Sequence, residues 1–152
     1  MLRFLKNIRL LTSFPKRKRL ELEKQRRAGY SVDMPPGSRG EWLIYSEGEK
    51  SLEAQLTWGD GCRLYTESLR TWNAPVKGER LNPEEYDLVL RRIREYLSIH
   101  TSEIILDDRP GMTYEEELAF MKEMGEREGW EMVDKGGEVK FVRKSCKDAG
   151  AA

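Results

Sequence analysis

The sequence contains little of what holds small secreted domains together or builds common metal sites. Its 152 residues include only two cysteines and one histidine. Cys62 and Cys146 are far apart and show no Cys-x-x-Cys spacing, which excludes a disulfide scaffold and a recognisable zinc site. No apolar run approaches the roughly 18 residues that cross a bilayer, so an integral membrane protein is excluded as well.

The N-terminus also lacks the uninterrupted apolar segment of an export signal. Arg3, Lys6 and Arg9 divide the opening stretch MLRFLKNIRLL, and no small-residue cleavage site follows it. We therefore expect a cytoplasmic protein.

Charge is balanced over the whole chain but uneven along it. The total is 27 basic and 27 acidic side chains. Residues 1–40 hold 11 basic and 3 acidic side chains, a net charge of +8, which leaves 16 and 24 for residues 41–152, a net charge of −8. The length is that of one domain, so we expect one acidic domain behind a basic extension.

The basic extension has the pattern of an amphipathic helical arm over residues 1–34. Apolar residues recur at a spacing of three before Pro15, and a second helical stretch follows up to a stop at Gly29. Its candidate nucleic-acid contacts are the cations Lys16, Arg17, Lys18, Arg19, Arg26 and Arg27.

Three interpretations of this arm remain open from the residues. It is a membrane-surface or nucleic-acid arm, a partner-docking helix, or a poorly ordered extension that keeps the protein soluble. A start of translation at Met34 is a further alternative.

A compact α+β domain is expected over residues 41–142, after the Pro- and Gly-rich stretch at 33–40. Strands at 41–46, 51–58 and 62–69 form an antiparallel meander, because 51–58 alternates apolar and polar residues and Gly59-Asp60-Gly61 suits a tight hairpin. A helix follows from Pro83, which Asn82 and Glu85 cap, to about Ser98.

A βαββ unit follows this βββα unit. We predict a short strand at 102–106 and a helix from the capping pair Thr113 and Glu116 to about Glu128. A hairpin about Gly136-Gly137 then places Trp130 and Met132 across from Val139 and Phe141. The last residues, 143–152, have no apolar pattern and are expected to be a disordered tail.

No catalytic, cofactor or metal motif emerges from the residues. His100 follows a helix end without a nucleophile at a suitable spacing, and no phosphate-binding glycine loop is present. The carboxylates Asp107, Asp108, Glu115 and Glu116 lie in a turn and on a helix flank, which favours a solvated or recognition surface over a metal site. Trp72 has two interpretations, a plug between sheet and helix or an anchor for a partner.

Three short motifs prompt a comparison with a known family. A tryptophan in W-x-x-P at 72–75, the helix start LNPEEY at 81–86 and the helix end IREYL at 93–97 follow the β-meander. Over Glu41 to Leu97 the chain resembles the immunity proteins encoded beside bacterial polymorphic toxins, in particular the family called immunity protein 74.

This resemblance implies a cytoplasmic, non-enzymatic protein that binds a cognate toxin domain and blocks its active site or substrate groove. The acidic charge of residues 41–152 is compatible with a basic partner. The charge and aromatic pattern of the residues, and not the resemblance, selects the expected contacts: Trp72 as anchor, with Asp107, Asp108, Glu115 and Glu116. Two other classes remain: a nucleic-acid- or ribosome-associated protein that uses the basic arm, and a small enzyme with a polar pocket around His100.

Overall fold

The protein consists of two compact units, Met1–Gly111 and Met112–Ala152. The computed structural model describes residues 2–38 and 40–143. The first unit contains α1 (Leu2–Ala28), β1 (Tyr30–Asp33), β2 (Trp42–Glu47), β3 (Lys50–Gly59), β4 (Gly61–Tyr65), α2 (Pro83–His100) and β5 (Ile104–Asp107). The second unit contains α3 (Tyr114–Arg127), β6 (Trp130–Lys135) and β7 (Glu138–Arg143). These elements confirm the predicted α+β class.

The first unit is built on one five-stranded sheet in the order β1-β2-β3-β4-β5. The strands β1 to β4 pair antiparallel, while β5 pairs parallel to β4. A parallel neighbour requires a crossover connection, which α2 supplies. The predicted βαββ unit is therefore not one unit. Its first strand, β5, belongs to the five-stranded sheet of the first unit, and its helix and hairpin form the second unit.

The core of the first unit includes side chains of the sheet and of α2. Leu52, Ala54 and Leu56 of β3 are buried as the alternation predicted, whereas Glu53 is exposed. Trp58 is half-buried at the margin, and its indole N–H donates to the carbonyl of Gly40 at 2.6 Å. Gly40 is required there, because a Cβ atom would lie 2.8 Å from that indole nitrogen and the residue has a φ of +80°.

The predicted start of α2 is confirmed in detail. The amide of Glu85 donates to Asn82 Oδ1 at 2.8 Å, and the amide of Asn82 donates to the Glu85 carboxylate at 3.0 Å. This reciprocal pair satisfies two of the amides that a helix start leaves free. α2 then buries Val89, Ile93 and Leu97.

The basic extension is part of the first unit and not a separate arm. α1 runs through Pro15 as one helix and is followed by Gly29 with a φ of 75°. Gln25 is 2% exposed, and its side-chain oxygen accepts from the amide of Val32 at 3.0 Å. The predicted division into an arm at 1–34 and a domain at 41–142 therefore differs from the observed units. α1 packs on α2, and a strand that was not predicted, β1, precedes the Pro- and Gly-rich stretch.

The second unit is a helix followed by a two-stranded hairpin. The predicted capping pair is present, since Thr113 and Glu116 exchange backbone–side-chain hydrogen bonds at 2.8 and 3.3 Å. In the hairpin Met132 lies opposite Phe141 as predicted, while Trp130 lies opposite Arg143. The predicted disordered tail lies outside the described residues from residue 144 onward.

Candidate functional site

The predicted anchor Trp72 lies in the core. It is 3% exposed, and its ring centroid lies 6.3 Å from that of Tyr45. The Lys50 ammonium group covers the ring at 5.2 Å from its centroid. This corrects the expectation of a partner contact, because the indole has almost no surface left to offer. The alternative interpretation, a plug between sheet and helix, describes its position.

Asp107 is engaged within the first unit. Its carboxylate accepts from Arg109 and from Arg63, each at 3.0 Å. The hydrogen bonds from Arg109, supported by Arg63, lower the pKa of Asp107 to about 2. Asp107 thus ties β4, β5 and the following turn together, which leaves a partner little access to its charge, while its neighbour Asp108 is exposed.

Glu115 and Glu116 belong to the second unit, so the structure places the four predicted carboxylates in two separate units. Glu115 is exposed in the first turn of α3. Glu116 is half-buried and caps the helix through Thr113. Of the two, Glu115 keeps a carboxylate open to solvent.

The second unit presents an exposed surface that the residue patterns did not predict, because helical spacing groups Met121 with Leu118 and Met124 on the expected inward side of α3. Tyr114, Met121 and Glu128 follow a seven-residue spacing, and Glu117 lies one helical turn from Tyr114, which places all four on one side of α3. Tyr114 is 70% and Met121 36% exposed. We call this set, Tyr114, Glu117, Met121 and Glu128, the α3 face.

The carboxylates of the α3 face are open to solvent. Glu117 and Glu128 are exposed, and neither makes an ion pair in the described part of the chain. Two acids therefore flank an exposed tyrosine and methionine. The seven-residue spacing was available in the sequence, but only the exposure of the side chains distinguishes this stripe from a buried one.

Three of the six predicted cations of α1 have partners at the surface of the first unit. Arg17 donates to the carbonyl of Ser98 at 2.9 Å, and Lys18 lies 5.9 Å from the ring centroid of Phe14. Arg27 pairs with Glu23.

The other three, Lys16, Arg19 and Arg26, are exposed. Their side chains make no hydrogen bond or ion pair within residues 2–38 and 40–143. We call these three residues the α1 stripe.

The histidine and the buried cysteine are poorly placed for chemistry. His100 lies between Phe14 and Tyr96, with ring centroids at 5.3 and 5.2 Å. Burial, together with the charge of Lys18, lowers the pKa of His100. Cys62 is fully buried, and burial raises the pKa of its thiol to about 12. Neither group has the accessible, activated state that a nucleophile or base needs.

Other kinds of site are also missing from the described ranges. No three His, Cys, Asp or Glu side chains within them come together as a metal site. None of the helices described has the combination of length and apolar character that spanning a membrane requires. In comparisons with known proteins, the chain matches no protein-family model, no curated protein and no solved structure.

Proposed function

We propose that this is a non-catalytic binding protein that holds a basic partner protein on its α3 face. In the reading that the resemblance to immunity protein 74 suggests, the partner is a toxin domain and the complex blocks its active site or substrate groove. The observation that carries the proposal is the exposure of Tyr114 and Met121 between two carboxylates without ion pairs.

The chemistry of the α3 face fits a protein partner. Tyrosine gives a large contact area with few rotatable bonds, and methionine adapts to irregular surfaces. Glu117 and Glu128 attract a cationic surface, and the net charge of −8 over residues 41–152 favours its approach. A lysine- or arginine-rich groove, such as one that binds nucleic acid, is the complementary surface.

The packing of the second unit supports the same proposal. The first unit has a core of buried apolar side chains, from Tyr30 to Ile99. Trp130 and Val142 remain exposed in the hairpin, in addition to Tyr114 and Met121 of the helix. A partner that covers Tyr114 and Met121 would add buried apolar surface to the second unit.

A non-catalytic role agrees with the state of the reactive groups. Cys62 is inaccessible, and His100 is enclosed by two aromatic rings. A general base needs hydrogen-bond reach to a substrate, and His100 Nε2 is buried without a partner among the described residues. These positions give no support to an enzyme centred on His100.

Co-production of the full chain with a candidate toxin domain that has a basic surface tests the proposal. The double variant Glu117→Lys and Glu128→Lys is expected to abolish protection of the host and co-purification of the pair. The matched control is Glu115→Lys and Glu126→Lys, which changes the same charge at the same 11-residue spacing on the other side of α3.

The two double variants separate recognition from folding. Both replace one glutamate in the first turn of α3 and one near its C-terminal end, so both change the helix-dipole interaction in the same direction. The proposal requires the control to protect the host while the α3-face variant does not. Equal protection by both, or an enzymatic inactivation of the toxin without a stable complex, would overturn it.

A further inference from the structure

α1 is fixed on the first unit by one side only. Gln25 and Glu21 are buried, and Lys24 pairs with Glu95 of α2 at 2.5 Å. Arg17 lies on this side as well, through its bond to Ser98. Between residues 13 and 28, the other side of the helix faces solvent.

The α1 stripe lies on this solvent side. Lys16, Arg19 and Arg26 fall within about a quarter of the helix circumference, and ten residues of helix extend about 15 Å. Arg27 is already paired with Glu23, whereas Lys16, Arg19 and Arg26 make no ion pair among the described residues and are available to an external anion. Over 15 Å a nucleic acid duplex presents about nine phosphate charges.

The apolar residues near the stripe argue against a lipid surface. Leu20 and Leu22 are exposed, but helical periodicity places them at opposite margins of the stripe and not on one face. A helix that binds a membrane surface needs a continuous apolar face to insert. In α1 the ring of Phe14 is instead engaged with His100.

The lack of aromatic groups argues for a duplex over a single strand. Proteins that bind single strands stack bases on exposed aromatic side chains. From residue 13 to 28, the only aromatic side chain is Phe14. A duplex backbone, by contrast, is bound by charge alone and without reading the base sequence.

We propose that the α1 stripe binds the phosphate backbone of a nucleic acid duplex without sequence preference. This goes beyond the binding of a partner protein, because it uses another unit, the opposite charge and a different class of ligand. The two surfaces are therefore testable separately.

The test measures binding of the full chain to a labelled 20-base-pair DNA duplex by fluorescence anisotropy at 50 and 200 mM salt. Three phosphate contacts predict a loss of affinity of about 40-fold between these salt concentrations. Replacement of Lys16, Arg19 and Arg26 by Gln is expected to weaken binding at 50 mM and to reduce the slope of log K against log salt by about 2.7.

The control variant replaces Lys77, Arg80 and Arg91 by Gln, which removes the same charge from other exposed positions of the first unit. Retention of duplex binding by this control supports the proposal. Equal loss in both triple variants, or no binding by the unmodified chain at 50 mM salt, overturns it.

Two further probes decide the class of ligand. Tighter binding to the corresponding single strand than to the duplex contradicts the assignment to a duplex. Binding to phosphatidylserine vesicles that is lost on replacement of Leu20 and Leu22 by Ser, without duplex binding, assigns the helix to a membrane instead.

Discussion

A single polar side chain, Gln25, connects α1 to the sheet. Its oxygen accepts from the amide of Val32 at 3.0 Å, and its amide donates to Glu21 at 3.2 Å. A buried amide that loses its acceptor costs about 1–3 kcal/mol. We therefore predict that Gln25→Ala lowers the free energy of unfolding of the first unit by that amount, as measured by urea denaturation of the full chain.

The adjacent substitution Arg26→Ala is the control for this measurement. Arg26 is exposed, so its loss is expected to change the free energy of unfolding by less than about 0.5 kcal/mol. Similar midpoints for Gln25→Ala and the unmodified chain would show that the bond to Val32 contributes nothing.

Asp107 makes the stability of the first unit depend on pH. Its pKa lies at about 2 in the fold, below the ordinary value of 3.8. A lowered carboxyl pKa contributes stability above the ordinary value, and this contribution is lost as the pH falls toward 2. Asp107→Asn is expected to lower the free energy of unfolding by about 1 kcal/mol at pH 7. This is less than the full pKa shift implies, because both arginines are partly exposed.

Denaturation curves of this variant and of the unmodified chain, from pH 7 down to pH 3, provide the measurement. The difference between them should shrink below pH 4. Asp108→Asn serves as the control, since Asp108 is exposed and makes no ion pair among the described residues. A difference that stays constant with pH would exclude the ion pairs with Arg63 and Arg109 as its cause.

At the scale of elements, the first strand decides whether the basic extension belongs to the folded unit. β1 pairs with β2 and buries Tyr30 and Val32, whereas Ser31 faces solvent. We predict that Val32→Asp destabilises the first unit by several kcal/mol, because it buries a carboxylate without a partner. Thermal unfolding followed by circular dichroism measures this.

Ser31→Asp is the matched variant on the opposite face of the same strand, and a change near zero is expected. Equal stability of the Val32→Asp and Ser31→Asp variants would contradict the pairing of β1 with β2. A chain that began at Met34 would lack α1 and β1. It would expose the core positions that Tyr30 and Val32 cover.

The elements that were predictable from sequence share a local cause. The starts of α2 and α3 depend on hydrogen bonds between residues three apart, so Asn82 and Glu85, like Thr113 and Glu116, identify them directly. β1 was missed because four residues are too few to show an alternation, and its pairing partners lie 11 or more residues away.

At the scale of the whole molecule, the two units differ in how much they bury. The first unit buries a core that includes Leu43, Tyr45, Leu52 and Leu97, while Tyr114, Met121, Trp130 and Val142 of the second unit are exposed. A unit with little buried apolar surface opens at lower free energy. We predict that amides of α3, β6 and β7 exchange with deuterium faster than those of β2, β3 and α2.

Mass-spectrometric hydrogen exchange on the full chain checks this prediction. Addition of a partner bound at the α3 face should slow exchange in the second unit most, because binding stabilises the bound form. The variant Glu115→Lys and Glu126→Lys should keep this protection, and Glu117→Lys and Glu128→Lys should lose it. Uniform exchange across both units would contradict the division of stability.

The sequence by itself determined the α+β class, the β2–β3–β4 meander, the capped helix starts and the asymmetry of charge. These depend on periodicity, local hydrogen bonds and composition. Only the tertiary structure decided that Trp72 is buried, that Asp107 is paired and that α1 is docked. It also decided that the α3 face and the α1 stripe stay open. Burial and ion pairing depend on residues distant in the chain, such as Arg63 and Asp107, which no local pattern brings together.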